Sequence, residues 1–133
     1  MALKWVLPEH DSDKAKALRH EFRNKIHVLL APDIFPAEIG HSLVRAERRR
    51  MVLPGAGLDL LSDVTTTVPQ LHPSLPLLPE AFALASAMRI SLYDCLYVAL
   101  ADREQCELVT ADERLVNVLQ KRFPFVIPLS TLP

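Results

Sequence analysis

The chain has 133 residues, 50% of them hydrophobic and 23% charged, with a formal net charge of −1, 11 prolines and 3 glycines. That length and apolar content predict one globular domain and exclude intrinsic disorder, and two cysteines exclude a disulfide scaffold. Gly40, Gly55 and Gly57 cannot supply the spaced glycines of a phosphate-binding loop or a dinucleotide-binding turn.

The opening stretch MALKWVLPEHDSDK has no apolar core followed by a small-residue cleavage site. No run approaches the ~18 apolar residues that span a bilayer, so the chain is expected to be soluble and cytoplasmic. Residues 10–25 place Ala15, Leu18 and Phe22 at helical spacing behind a cap at Asp11 or Ser12, with Lys14, Lys16, Arg19, Arg23 and Lys25 as its basic outer face. His27 to Ala31 is a short apolar run ending at Pro32, the pattern of a strand buried on both faces. A helix follows, with Asp33 as cap and Phe35, Ile39, Ser42, Leu43 and Ala46 on one side. Val52 to Asp63 reads as a further helix, and the β-branched run VTTTV at 64–68 as a strand stopped by Pro69 and Pro73.

In the second half, 79–88 and 91–103 predict two consecutive helices, the first with Pro79 at its start and the second capped by Ser91. Residues 107–110 (ELVT) form a strand, 112–122 a helix with Leu115, Val118 and Leu119 inward, and 125–129 a last strand that Pro128 marks as an edge. Strands alternating with helices predict an α/β domain with a mainly parallel sheet. Cys95 and Cys106 match no metal or redox spacing and read as packed free thiols, and the five histidines are scattered.

Such a sheet binds ligands beyond the carboxyl ends of its strands, which directs attention to Glu38, Asp94 and Asp112. Each also has an ordinary structural role. Glu38 shares a helical stripe with Phe35 and Ser42, where a carboxylate serves equally as a paired core-edge group. Ser91 and Asp94 fit a capping box, and Asp112 stands where a helix cap normally does. If helix starts cluster at one end of the sheet, the three carboxylates converge and call for a cation, and hard oxygen donors select Mg²⁺ or Mn²⁺. The natural chemistry is phosphodiester hydrolysis by a metal-activated water. Arg45, Arg48, Arg49 and Arg50 suit a polyanion, although charges of this kind are more often solvated helix faces.

The order of these pieces resembles the PIN-domain family, most closely its VapC-type ribonuclease toxins. The matching stretches are ALKWVLPE (2–9), APDIFPAEIGHSLVR (31–45), LPEAFALASAMRISLYDCLYVALA (78–101) and LVTADERL (108–115). The resemblance implies a three-layer α/β/α domain over 1–133 and a metal-dependent ribonuclease of a toxin–antitoxin pair. It assigns Glu38, Asp94 and Asp112 as catalytic ligands of Mg²⁺ or Mn²⁺ and Thr110 as their support. The implied partners are RNA, an antitoxin and a second copy of the chain, with no membrane.

One departure is at the front. Family members open with a strand ending in Asp, and Met1 stands where the residues after it belong. That first strand and acidic ligand are therefore absent from this sequence, either through a misassigned start or with a swapped second copy filling the gap. The competing expectation is a catalytically impaired module that binds nucleic acid or an antitoxin, presenting Trp5 beside a groove; core packing is the other place for Trp5.

Overall fold

A computed structural model describes all residues, 1–133, and they fall into two compact units, Met1–Leu71 and His72–Pro133. The first unit opens with a 3-10 turn, Ala2–Trp5, followed by helices α1 (Ser12–Arg23), α2 (Phe35–Arg48) and α3 (Ala56–Thr65) and strand β1 (Leu30–Pro32). Its strand pairs with β2 (Gln70–His72), the Gln70 N–H donating to the Leu29 carbonyl at 2.8 Å. The second unit holds α4 (Leu78–Met88), α5 (Leu92–Glu104), β3 (Leu108–Thr110), α6 (Glu113–Leu119) and β4 (Val126–Pro128). β3 and β4 run parallel, with Leu108 opposite Val126 and Thr110 opposite Pro128, so β3–α6–β4 is a βαβ unit. Helices and parallel strands bear out the α/β expectation. No helix is long and apolar enough to cross a membrane.

The helices follow the apolar spacing that predicts them. Phe35, Ile39, Leu43 and Ala46 are the buried residues of α2, a stripe at intervals of three and four. Trp5 is buried at 5% exposure, with its ring 6.4 Å from that of Phe35, which rules out the exposed tryptophan of the binding-module expectation. Cys95 and Cys106 are free thiols, and burial pushes that of Cys95 up to about 11, which leaves it protonated and unreactive at neutral pH.

Several boundaries differ from expectation. The run VTTTV is not a strand. Val64 is buried on α3, and the Thr65 and Thr66 hydroxyls donate to carbonyls of Leu61 and Asp63, giving the backbone local partners that a strand ladder would have had to replace. The strand comes instead after Pro69. β1 begins at Leu30, while His27 and Val28 are exposed. Ile34, not Asp33, occupies the N-cap position of α2, whereas Asp11 does occupy that of α1, though without a capping bond from its side chain. On α6, Leu115, Val116 and Leu119 face inward and Val118 is exposed.

Arg19 is the largest departure. Four residues after Ala15, it lies on the buried stripe of α1 and is only 7% exposed. Its guanidinium sits 4.9 Å above the Trp5 ring, bonds Thr67 Oγ1 through Nε at 3.0 Å and pairs with Asp63 Oδ1 at 3.0 Å. It therefore joins α1 to the end of α3 and is no part of a basic outer face.

Candidate functional site

Two of the three candidate carboxylates stand in the second unit. Ser91 starts α5 by accepting the Tyr93 N–H at 3.1 Å, which fixes the first turn and with it Asp94. Asp112 ends the loop from β3 and caps α6, its Oδ1 accepting the N–H of Arg114 at 3.0 Å and of Leu115 at 3.3 Å. Thr110, the last residue of β3, steers that loop: its hydroxyl oxygen accepts the Asp112 N–H at 3.1 Å. Asp112 thus fills the cap role foreseen for it, while of the capping box foreseen for Ser91 and Asp94 the bond shown is that of Ser91.

Their electrostatics add something that capping does not require. Burial pushes the Asp94 carboxyl above the ordinary carboxylate range, and the negative charge of Asp112 pushes it further in the same direction. The two aspartates therefore lie within electrostatic reach of each other. Asp112 pairs with Arg114, whose Nε is 4.0 Å from Oδ1 on an almost fully exposed side chain, an interaction that screening makes weak.

Glu38 lies in the first unit, in the first turn of α2, where its N–H donates to the Ile34 carbonyl. Its charge acts on the Met1 amino group. Asp94 and Asp112 share the second unit, where the charge of one raises the carboxyl of the other, and within neither unit do three or more His, Cys, Asp or Glu side chains gather as a metal site. The pair nevertheless fits a hard divalent ion in chemistry, because Mg²⁺ keeps several waters and needs only one or two carboxylates. The raised Asp94 carboxyl is the observation that supports the fit, since a cation relieves both the burial penalty and the repulsion.

Arg45 and Arg48 lie in the last turn of α2, Arg49 follows as its C-cap and Arg50 adopts a left-handed conformation at φ 58°. All four are exposed, and none takes part in an ion pair. Glu47, within the same run, is turned away: its Oε1 accepts the N–H groups of Gly55 and Gly57 at 3.1 and 2.8 Å and closes the start of α3. Sequence reasoning missed this bond because it spans a loop. The proximity of PGAG to a glutamate one helix earlier is its only trace.

The sequence profile of the PIN domain matches residues 2–120, running through both units. The protein named Ribonuclease VapC3, from Pyrobaculum aerophilum, is 27% identical over 123 residues, which cover 91% of this chain and 88% of that protein.

Proposed function

This chain belongs to the PIN-domain family, and from that premise we propose that it is a metal-dependent endoribonuclease, the toxin of a toxin–antitoxin pair. The observation that carries the proposal is the placement of Asp94 and Asp112, two carboxylates in one unit, with the charge of the second raising the carboxyl of the first. In a resting scaffold that arrangement is unfavourable, and a binding site for a divalent ion gives it a purpose.

Asp94 and Asp112 would hold Mg²⁺ or Mn²⁺, with Glu38 as the further carboxylate of the site. Bound there, the ion supplies positive charge beside the scissile phosphate and lowers the pKa of water. The chain's own residues do the rest. Thr110 holds the Asp112 loop in place through the bond to its N–H. The four exposed arginines of the α2 end attract the polyanionic substrate and contribute to affinity that falls with salt. An antitoxin and a second copy of the chain complete the set of proposed partners, and the setting is cytoplasmic.

A catalytically impaired PIN module is the second reading, favoured by the observation that neither unit gathers three carboxylates. Incubation of RNA with the chain separates the two. Cleavage that requires Mg²⁺ or Mn²⁺, stops in EDTA and is abolished by Asp94→Asn supports the nuclease. RNA left intact under all conditions, with RNA or antitoxin still bound, supports the impaired module.

A further inference from the structure

The first unit carries a cleft that contains neither carboxylate of the acidic pair. Leu3, Leu7, Ala46 and Met51 form its apolar wall, Arg45 and Arg49 its basic edge, and its volume is about 190 Å³. Met51 is 66% exposed although it belongs to this apolar wall. The negative end of the α2 dipole accounts for cations here but not for the apolar surface beside them.

No carboxylate at this cleft is left to pair with its arginines. Glu9 also lines it, but its carboxylate is paired with Lys4 Nζ at 3.3 Å, and Glu47 is committed to the start of α3. Arg45 and Arg49 thus face the cleft with no carboxylate of their own. A partner helix would need an extended groove taking several side chains in succession. A short apolar wall with guanidinium groups at its edge matches a single nucleotide better: a base has a flat apolar face for the wall, and its flanking phosphates are anions for the edge.

We propose that this cleft holds one unstacked base of single-stranded RNA, with Leu7 and Met51 against the ring and Arg45 and Arg49 on the adjoining phosphates. The assignment rests on the reading of the protein as an RNA hydrolase and narrows its substrate to a segment whose bases are free of a duplex. A base inside a helix cannot enter such a cleft, so strand state becomes a source of selectivity.

The test is fluorescence anisotropy in EDTA with the Asp94→Asn chain, which keeps the RNA intact, using a short labelled single strand of mixed sequence and the same strand annealed to its complement. Met51→Ala and the double variant Arg45→Ala/Arg49→Ala are compared with that parent, circular dichroism confirming that each is folded. The single strand is expected to bind about 10-fold tighter than the duplex. Met51→Ala should cost the single strand roughly 5-fold, the order expected for losing one or two buried methylene groups, and leave the duplex unaffected. The double variant should weaken both and flatten the salt dependence of single-strand binding by about 0.7 for each phosphate that is no longer neutralised. Equal binding of both RNAs together with an indifferent Met51→Ala overturns the base cleft while leaving RNA hydrolysis, measured separately on the unsubstituted chain, as it stands. Single-strand affinity unchanged in both variants also overturns it and leaves the cleft to a protein partner. Absence of both RNA binding and cleavage defeats the hydrolase reading, and the cleft assignment with it.

Discussion

Asp94, half-buried in the first turn of α5, is held above the ordinary carboxylate range by its burial and by the charge of Asp112, the cap of α6. A carboxyl raised on folding favours the protonated folded state. Its contribution to stability is therefore complete below the ordinary carboxylate range and is lost as pH rises through the raised value. At neutral pH the ionised Asp94 is a liability to the fold. Asp94→Asn removes that charge at nearly constant shape, so in metal-free buffer it should raise Tm at pH 7 by a few degrees, the gain fading on acidification to about pH 4. Thermal melts of both chains across that range check it; a variant less stable at pH 7 contradicts it.

Arg19 supplies a second prediction. Its guanidinium bonds Thr67 Oγ1 at 3.0 Å, the Asp63 carbonyl at 2.6 Å and the Asp63 carboxylate at 3.0 Å while stacking over Trp5. Arg23 reaches the same threonines, with Nε 2.7 Å from Thr67 Oγ1. Because the Asp63 side chain is about half exposed, water takes over part of what is removed, so Arg19→Ala should cost about 2–3 kcal/mol rather than the full penalty of a broken buried pair. Arg23→Ala, at the exposed end of the cluster, should cost less than about 1 kcal/mol. Urea denaturation of both variants measures the difference.

Gly57 and Glu47 are coupled. A Cβ on Gly57 would stand 2.5 Å from Glu47 Oε1, the atom that accepts the Gly55 and Gly57 N–H groups. Gly57→Ala should therefore displace the carboxylate and lose the cap of α3, a net destabilisation of about 1 kcal/mol. Once Glu47→Ala has removed the obstacle, the same Gly57→Ala change places a better helix former in α3 and should stabilise by roughly 0.5–1 kcal/mol. The reversal of sign in a double-mutant cycle is the readout, and additive effects would show that the two residues do not meet.

The pattern of legible and illegible features follows from the range of the interactions. Periodicity located the α2 stripe and the two helices that begin near Pro79 and at Ser91, because those faces are set by neighbours three and four residues away. Ser91 and Asp112 could be read as caps for the same reason. Composition misled at 64–68, where β-branched residues promised a strand and hydroxyl bonds to nearby carbonyls kept the chain helical through Thr65. Residue type places Arg19 on a solvated basic face, whereas its spacing from Ala15 places it inward, and position wins. The Glu47 bond across a loop and the repulsion between Asp94 and Asp112 depend on separations in space that no local pattern encodes. For the acidic pair, the resemblance to the PIN domain supplied what spacing could not.

The central claim is that Asp94 and Asp112 together bind a divalent cation, and thermal shift with millimolar Mn²⁺ tests it most directly. The unsubstituted chain should gain several degrees, since an ion at 100 times its Kd adds about 2.7 kcal/mol to the folded state. The Mn²⁺-induced gain should disappear in both Asp94→Asn and Asp112→Asn, whatever each substitution does to Tm without metal. An equal gain in all three chains, or none in the unsubstituted one, would contradict the account.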